Sequence, residues 1–406
     1  MGTELLLGEI DTNSVYIADR LNSIGIDVFR KTIVGDNPQR IKKTLEEALS
    51  KADVLILCGG LGPTEDDVTK EAVSEFFKRK LVVDKEIFER IYKRLSHRIP
   101  YQAIVKQAKV PLSSKVIKNP VGSAPGIIIE EMGKIVILLP GVPRELEGMM
   151  PQVISYLSEK FPSQKIIKSK TLKVWGMGES EVNEKISDLM SRANPSVALL
   201  AKKEGVYVRI TAKFSPLEVD RKIKEIEKIL RERLGYYIFG VDDQTLEEVV
   251  GKLLMQKNLT VSLAESCSGG LISHRLTNVP GISQCYLCGV VSYSNRAKSD
   301  ILRVSPNLIK EKGAVSSEVA REMAKGARTI SGADVSLGVT GIAGPTGGTP
   351  QKPVGLVFIA LSSKEGEFCK KCLFSGDRES IKWKTSQEAL NLLRLYLLGK
   401  LKLEVK

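Results

Sequence analysis

Apolar runs that end in glycine recur along the chain, and amphipathic stretches follow them. ADVLILCGG (52–60) has the pattern of a buried strand, and DVTKEAVSEFF (67–77) follows with helical spacing. KIVILLPGVP (134–143) is a second such strand, which ends at Pro140-Gly141. Repeated strand–loop–helix units predict an α/β domain with a parallel sheet and with sites at the carboxyl ends of its strands.

The pattern changes after about residue 164. FPSQKIIKSK (161–170) is a polar break, and a strand–helix–strand–helix pattern follows it, which predicts a small α+β module. DDQT (242–245) then predicts a helix start, with Asp or Thr as the N-cap and Glu247 or Glu248 reaching back. The remainder is again α/β. We therefore predict domains at residues 1–164, 165–242 and 243–406.

In the third domain, the apolar run 259–263 predicts a strand before AESCSGG (264–270), and a helical pattern follows. Three candidate nucleophiles are consecutive there: Ser266, Cys267 and Ser268. A strand, a tight glycine turn and a helix start suit a phosphate or oxyanion site, because the first helical N–H groups are unpaired.

Composition places the chain among soluble globular proteins, with 42% hydrophobic and 27% charged residues in 406. It has no membrane-spanning apolar run, and its acidic N-terminal stretch does not resemble a signal peptide, so we expect a cytoplasmic protein. The net charge of +13 admits a nucleic-acid partner. Mixed-sign helical faces and only 5% aromatic residues instead favour solvated surfaces and small anionic ligands.

Four of the six cysteines form two C-x-x-C pairs, Cys285/Cys288 and Cys369/Cys372. Such pairs are a zinc signal, but both lie in strand-like segments without turn residues. Positions i and i+3 of a strand face opposite sides, so we expect structural thiols rather than metal ligands.

The loop CGGLGPTEDDVT (58–69) is a candidate anion site, because Gly59, Gly60 and Gly62 let the backbone approach a ligand at a helix start. The following Glu65, Asp66 and Asp67 would repel a bare phosphate, and they suit a divalent cation that bridges carboxylate and phosphate. The alternative is an ordinary turn in which Thr64 or Asp66 caps the helix. No Gly-Lys-Ser/Thr follows, so this is not a Walker A loop.

A serine nucleophile needs a base, and the only two histidines, His97 and His274, are poorly placed along the chain to supply it. VVSYSNRAKSDIL (290–302) runs from a strand into a helix capped by Ser294, with Lys298 one turn in. A lysine acts as a base when burial or a nearby cation lowers its pKa, and Arg296 or Arg378 could be that cation.

The N-terminal motifs GTELLLGEIDTN, GGLGPTEDDVTKEA, NPVGSAPG and LPGVPREL resemble the molybdopterin-binding-like domain of the competence/damage-inducible CinA family. The resemblance continues through WGMGESEVNEKI and AESCSGG. It implies a metal-dependent ADP-ribose pyrophosphatase that uses Mg, Mn or Co, with K as a further candidate ion. It places the pyrophosphate near Gly59, Gly60, Gly62 and Thr64, with Asp67 as a metal-binding or catalytic carboxylate and Asp66 as a further metal candidate.

Two further points follow from this N-terminal resemblance. It places Glu4, Asp11 and Asn13 on the opposite rim of the site. The chain also departs from the family, whose members have a hydrophobic strand before GTELL. Either a central strand of the sheet is missing, or the start codon is mis-assigned, which is the simpler explanation.

The C-terminal motifs AESCSGG, YSNRAK, GAVS, TGIAGPTGG, KPVG and FSGDR resemble the nicotinamide-nucleotide amidohydrolase family, which hydrolyses nicotinamide mononucleotide (NMN) without a cofactor. The resemblance implies Ser266 as nucleophile, Lys298 as base and Tyr293 as proton relay or substrate-orienting residue. Cys267 and Ser268 stay alternative nucleophiles. The substrate-binding residues that it implies are Ser268, Gly269, Gly270, Asn295, Thr340, Gly341, Gly344, Gly347 and Arg378.

The middle module resembles a KH domain in outline, although Gly176 and Gly178 do not have GXXG spacing. We expect it to be a scaffold or dimerisation element in a homodimer. The whole chain then reads as a two-enzyme protein of pyridine-nucleotide salvage that acts on NMN and ADP-ribose. The alternatives are a nucleic-acid-binding competence factor and a molybdopterin-binding protein.

Overall fold

The computed structural model describes residues 1–162 and 165–404, so the predicted boundary at residue 164 lies outside the described residues. They divide into two compact units: Met1–Lys168 with Ala212–Arg221, and Ser169–Thr211 with Lys222–Lys406. No helix within the described ranges has the length and apolar character to cross a membrane.

The N-terminal domain alternates short helices with strands. Its helices and strands are α1 (Thr3–Leu6), α2 (Thr12–Asn22), α3 (Pro38–Leu49), β1 (Val54–Cys58), α4 (Thr69–Phe76), β2 (Leu81–Val83), α5 (Lys85–Leu95), α6 (Tyr101–Ala108), β3 (Lys109–Pro111), β4 (Lys115–Ile117), β5 (Gly126–Glu131), β6 (Lys134–Leu139) and α7 (Pro143–Lys160).

The main sheet of this domain has the order β1-β6-β5-β4 and is mixed. β1 and β6 pair in parallel, as the sequence predicts, from Val54 opposite Ile135 to Cys58 opposite Leu139. The expectation of an all-parallel sheet is wrong, because β6 pairs antiparallel with β5 and β5 with β4. Met132 and Gly133 both have positive φ and join β5 to β6 in a tight hairpin, which a parallel connection cannot use.

β1 lies at the edge of this sheet, and the described residues contain no strand before it. The amino group of Met1 donates to the Cys58 carbonyl (2.7 Å), and the Gly2 amide donates to the Val34 carbonyl (3.1 Å). Residues 1 and 2 therefore bridge β1 and the irregular segment 26–34. An apolar cavity of about 590 Å³ lies between that segment and β1.

The middle module contains β7 (Ile166–Val174), α8 (Glu179–Met190), β8 (Ser196–Lys202), β9 (Gly205–Phe214), α9 (Val219–Leu234) and β10 (Ile238–Val241). Its sheet has the order β10-β7-β9-β8. The strand–helix–strand–helix pattern from the sequence omitted β8 and β10. β8 is an edge strand with mostly exposed side chains, so it lacks the apolar alternation that identifies a strand.

The C-terminal domain contains α10 (Leu246–Lys257), β11 (Val261–Glu265), α11 (Leu271–Thr277), β12 (Tyr286–Val291), α12 (Asn295–Asp300), α13 (Pro306–Lys312), α14 (Ser317–Ser331), β13 (Val335–Gly341), β14 (Leu356–Ser363), β15 (Glu367–Leu373) and α15 (Arg378–Leu397). The sheet order is β12-β11-β13-β14-β15. β11 is central and parallel to both neighbours, whereas β14 and β15 are antiparallel.

Helix caps confirm part of the sequence reading. Thr245 is the N-cap of α10, and it forms a capping box with Glu248 at the predicted DDQT stretch. Ser294 caps α12 by accepting a hydrogen bond from the Ala297 amide (3.0 Å). These caps fix where α10 and α12 begin, and α12 carries Lys298.

Candidate functional site

Ser266 lies at the carboxyl end of the central strand β11. Its amide donates to the Val339 carbonyl of β13 (3.0 Å), which extends the parallel ladder by one residue and holds the turn against the sheet. The side chain is 8% exposed. A residue at this edge of parallel strands is in the position where α/β folds bind their ligands.

Lys298 contacts Ser266 directly. Its ammonium Nζ lies 3.0 Å from Ser266 Oγ and 2.8 Å from the Ser292 carbonyl oxygen, and the side chain is only 2% exposed. Burial lowers the pKa of Lys298 below the ordinary 10.5, since the charged form loses hydration. A nucleophile and a lysine with a lowered pKa at hydrogen-bond distance form an activated pair.

Neither Arg296 nor Arg378, the two cations that the sequence offered, is a cause of the lowered pKa of Lys298. Arg296 is exposed and pairs with Asp300 (3.0 Å) on the surface of α12. Arg378 donates to the Tyr293 hydroxyl (2.7 Å) and to the Gly344 carbonyl (2.5 Å). Burial, and not a neighbouring guanidinium, therefore accounts for the shift in Lys298.

The alternative nucleophiles differ from Ser266 in their surroundings. Cys267 is 6% exposed, and burial raises the pKa of its thiol to about 12, so at neutral pH it is not a thiolate. Ser268 is fully buried, and its Oγ has no hydrogen-bond partner within the described residues. His97 and His274 are both exposed, in agreement with the sequence expectation.

Glu265 is a site residue that the sequence reading missed. Its buried carboxylate accepts hydrogen bonds from the amides of Gly270 (3.0 Å), Ile272 (3.2 Å) and Ser273 (2.8 Å), and from the Ser273 hydroxyl (2.6 Å). It therefore occupies the start of α11. An acidic residue just before a Gly-Gly helix start is the signal that could have identified it.

The glycine amides of the turn therefore donate their hydrogen bonds to acceptors within the chain. The Gly270 amide donates to Glu265, and the Gly269 amide donates to the Ser266 carbonyl (3.1 Å). Both amides were expected to bind an oxyanion or phosphate; each has an internal acceptor in this structure, and their role toward a ligand stays a prediction. The two residues keep positive φ, as a turn this tight requires.

Tyr293 is 61% exposed, and its hydroxyl contacts Arg378. Only its backbone carbonyl approaches Lys298 Nζ, at 3.5 Å. The side chain therefore contacts Arg378 and not Lys298, which favours the substrate-orienting role over the proton relay. Asn295 is exposed at the first position of α12.

The loop after β13 surrounds the same edge of the sheet. Thr340 is 1% exposed and donates to the Ala314 carbonyl (2.8 Å), so its hydroxyl holds the loop rather than facing solvent. A Cβ at residue 341 would lie 3.0 Å from the Cys267 sulfur, so only glycine lets the strand end pack there. Gly344 and Gly347 have positive φ.

In the N-terminal domain, the predicted glycine loop follows β1, with Gly59 and Gly60 at positive φ. Asp67 accepts hydrogen bonds from the Thr64 amide (3.0 Å) and hydroxyl (2.5 Å), which closes a tight turn. A side-chain hydrogen bond from Thr64 lowers the pKa of Asp66. A Cβ at residue 62 would collide with the Asp67 carboxylate, so glycine at this position leaves room for the turn.

The residues predicted for the opposite rim of the N-terminal site, Glu4, Asp11 and Asn13, also make contacts within the chain. Asp11 caps α2 by accepting from the Ser14 amide (2.9 Å), and Asn13 Nδ2 donates to the Gly141 carbonyl (2.7 Å). Asn13 thereby ties the start of α2 to the loop after β6. Glu4 is exposed, and its carboxylate lies over Gly2.

The acidic residues do not fit a metal ion held by protein alone. Within the described residues, no three His, Cys, Asp or Glu side chains come together as a metal-binding group, and one carboxylate oxygen of Asp67 is engaged by Thr64. Magnesium in nucleotide sites uses one or two carboxylates together with substrate phosphates. Asp66 and Asp67 could provide at most that partial set.

The two C-x-x-C pairs are free thiols. Cys369 and Cys372 lie on β15, where burial raises the thiol pKa values to about 11 and about 12. Cys285 precedes β12 and is not in a strand, which corrects the expectation for that pair. Neither pair belongs to a metal-binding group within the described part of the chain.

Comparisons with known proteins cover nearly the whole chain. Three family models match it: "CinA C-terminal domain" at residues 243–397, "Probable molybdopterin binding domain" at 1–159 and "Damage-inducible protein CinA KH domain" at 169–240. The "Putative competence-damage inducible protein" of Caldicellulosiruptor bescii is 50% identical, over 97% of both chains. The "CinA-like protein" of Dictyoglomus turgidum is 48% identical, over 98% of this chain and 97% of that one.

Among solved structures, the CinA superfamily protein of Escherichia coli is 35% identical, covers 37% of this chain and 88% of its own, and has a TM-score of 0.36. The competence/damage inducible protein of Agrobacterium tumefaciens is 37% identical, covers 38% of this chain and 97% of its own, and has a TM-score of 0.36. The three family matches in order and the full-length identity to the curated relatives lead to one assignment. The chain belongs to the CinA family, with a molybdopterin-binding-like N-terminal domain, a KH-like middle domain and a CinA C-terminal domain.

Proposed function

We propose that the C-terminal domain hydrolyses the carboxamide of NMN to nicotinate mononucleotide and ammonia, with Ser266 and Lys298 as nucleophile and base. The observation that carries this proposal is the 3.0 Å contact between Lys298 Nζ and Ser266 Oγ at the end of the central strand. Burial of Lys298 favours the neutral amine that a general base requires.

In the proposed mechanism, neutral Lys298 takes the proton of Ser266 as Oγ attacks the carboxamide carbon. The tetrahedral adduct then collapses as Lys298 returns the proton to the leaving nitrogen, and ammonia departs. Water attacks the resulting ester with Lys298 again as base, which releases nicotinate mononucleotide and restores the Ser266 hydroxyl. The water consumed supplies the oxygen of the new carboxylate.

The turn also suggests where negative charge is stabilised. The amides of Gly269 and Gly270 donate to oxygens within the chain, whereas the amides of Cys267 and Ser268 have only the Cys267 sulfur, a weak acceptor, as a partner among the described residues. We assign the oxyanion role to these two amides, which directly follow the nucleophile. Backbone donors placed in this way lower the energy of the tetrahedral adduct without reorganisation.

The test is ammonia release from NMN without added metal. We expect Ser266→Ala and Lys298→Met to lower kcat by about 10²–10⁴-fold, the usual contribution of such groups. Cys267→Ala is the matched control for the adjacent position, and it should retain activity because its thiol is buried and protonated. Activity that survives in Ser266→Ala but is lost in Cys267→Ala would reassign the nucleophile.

A second proposal concerns the N-terminal domain, which we infer to cleave the pyrophosphate of ADP-ribose when Mg, Mn or Co arrives with the substrate. The glycine loop after β1 and the carboxylates of Asp66 and Asp67 support this proposal. Hydrolysis of ADP-ribose by wild type and by Asp67→Asn, measured with each metal and with added K, tests it. A pterin that stabilises the domain when ADP-ribose does not would instead favour molybdopterin binding.

We further propose that both substrates are small anionic nucleotides, that the protein acts in the cytoplasm and that it is a homodimer. The competing function is nucleic-acid binding through basic surfaces. A folded wild type that releases no ammonia from NMN, and binds DNA or RNA with a steep salt dependence, would favour it.

A further inference from the structure

We infer that Lys382 and Arg378 form a two-cation clamp for the phosphate of the substrate, and that Lys382 thereby determines the preference for a mononucleotide over a riboside. This inference rests on the proposed function of the same site. It deepens that proposal by adding Lys382 of α15 to Arg378 of the FSGDR motif.

The first observation is where the Lys382 ammonium lies. Gly269 belongs to the turn that carries Ser266, and a Cβ at Gly269 would be 3.3 Å from Lys382 Nζ. The ammonium therefore lies directly against the nucleophile turn. Gly269 is exposed and Lys382 is only half-buried, so a ligand in the site can reach the cation.

The second observation is the pairing with Arg378 on the same face of α15. Residues four apart on a helix have neighbouring side chains, so two cations occupy one surface of the first turns. Arg378 extends from there to the Tyr293 hydroxyl and to the Gly344 carbonyl of the loop after β13. Like charges at this spacing repel, and an anion bound between them would relieve the repulsion.

The third observation is that Lys382 has no hydrogen bond or ion pair to another described residue. Other lysines nearby do: Lys384 donates to the Ser375 carbonyl (2.8 Å), and Lys370 pairs with Glu388 (2.7 Å). The acidic residue at the start of α15, Asp377, accepts from the Ser380 amide (2.7 Å) as a helix cap. Lys382 therefore presents its charge to the site.

A phosphate is the anion that these groups suit. Arg378 offers a planar fork of donors and Lys382 offers a compact charge, the two kinds of cation that proteins use for phosphate. The clamp belongs to α15, whereas the buried Lys298 belongs to α12. One end of the substrate can thus be held while the other meets the nucleophile.

The experiment measures binding separately from turnover. Isothermal calorimetry compares nicotinate mononucleotide with nicotinate riboside on the full chain, in wild type, Lys382→Gln and Lys384→Gln, which is the matched control on the same helix. We expect Lys382→Gln to weaken mononucleotide binding by roughly ten- to a hundredfold, as for the loss of a charge-assisted hydrogen bond, and to leave riboside binding within about twofold. Lys384→Gln should leave both affinities unchanged.

Equal weakening for both ligands, or none for either, would overturn the clamp. Ammonia release from NMN by wild type reports on the proposed function by itself. If wild type releases ammonia and Lys382→Gln binds the mononucleotide normally, only the clamp is wrong. If wild type releases none but Lys382→Gln selectively loses mononucleotide binding, the clamp stands and the amidohydrolase proposal is wrong.

Discussion

At the scale of single residues, the Ser266–Lys298 pair depends on burial more than on charge. Among the described residues, the groups that contact Lys298 Nζ are the Ser266 hydroxyl and the carbonyl oxygens of Ser292 and Tyr293, and none of them is a carboxylate. Carbonyl oxygens orient the amine but do not pin it in the charged form as a carboxylate would. The lysine therefore loses its proton at a lower pH than a solvated one.

The first prediction follows for the pH dependence of ammonia release. Because Lys298 must be neutral to act as base and its pKa is lowered, kcat/KM should rise with pH and level off below 10.5, the ordinary lysine pKa. The test is to measure kcat/KM for NMN from about pH 6 to about pH 10, at pH values spaced by about half a unit. A rate still climbing tenfold per pH unit at the top of that range would contradict the assignment.

A second prediction distinguishes the two roles considered for Tyr293. Its hydroxyl contacts Arg378 and not Lys298. We therefore expect Tyr293→Phe to raise KM for NMN by about three- to tenfold and to leave kcat within about twofold, since only ligand orientation is affected. Steady-state kinetics test this. A large fall in kcat with unchanged KM would restore the proton-relay role.

The sequence identified Ser266 and Lys298 because their motifs are local and lie in recognisable strand–turn–helix contexts. Glu265 was missed although an acidic residue before the Gly-Gly helix start is a local signal, whereas the sequence carries no such signal for Lys382. The role of Glu265 depends on how tightly the chain turns back over its carboxylate, and that of Lys382 on α15 packing beside a turn more than one hundred residues earlier. The Lys382 contact is long-range, and such contacts leave no periodic trace in the sequence.

At the scale of elements, the start of α11 depends on Glu265. A carboxylate that satisfies three amides at a helix start is a strong cap, because charged acceptors strengthen these hydrogen bonds and complement the helix dipole.

The third prediction tests this cap. Glu265→Gln keeps the shape but removes the charge, and we expect it to lower stability by about 1–3 kcal/mol and to lower kcat together with it. Thermal unfolding and NMN turnover are measured side by side. Glu247→Gln serves as a control for removing a carboxylate in the same domain outside the turn, since Glu247 pairs with Arg275 (2.7 Å). Unchanged stability in Glu265→Gln would show that the turn does not need the charge.

Another element-level contact joins α4 to the end of α6. Lys70 is fully buried and donates to the carbonyls of Lys106 (3.0 Å), Gln107 (3.2 Å) and Lys109 (3.4 Å). Burial lowers the pKa of Lys70 to about 8. Because the unfolded chain, with a pKa near 10.5, binds more protons in this range, stability should rise with pH between about 8 and 10.5.

The fourth prediction is that Lys70→Met flattens this rise. The linked contribution is of the order of 3 kcal/mol at most for a shift of this size. Urea unfolding of wild type and variant at several pH values from 7.5 to 10.5 provides the test, with the slope against pH as the readout. The same slope in both proteins would mean that Lys70 does not titrate in this window.

At the scale of the whole molecule, the sequence correctly indicated three domain types, but not that the C-terminal domain and most of the middle module share one compact unit. Trp175 of the middle module donates to Glu388 of α15 (2.8 Å) and lies edge-on to Trp383. Arg394, 2% exposed, donates to the Tyr236 (2.7 Å) and Ile238 (3.4 Å) carbonyls. Sequence patterns locate domain boundaries by changes of composition, and they carry no signal for a packed interface between domains.

The last prediction concerns this shared unit. A fragment that starts at residue 243 keeps Arg394, its Asn391 acceptor and Glu388, but it loses Trp175 and the carbonyls of Tyr236 and Ile238, and with them hydrogen bonds that each contribute about 1 kcal/mol or more. We expect this fragment to unfold several degrees below one that starts at residue 166, since each lost kcal/mol lowers Tm by about 2–4 °C at this size. Calorimetry of both fragments measures the difference. Arg394→Met should narrow the gap between them, because it removes from the longer fragment the hydrogen bonds to Tyr236 and Ile238 that the shorter one already lacks. Equal Tm values for the two unmodified fragments would show that the middle module contributes nothing to the stability of the catalytic domain.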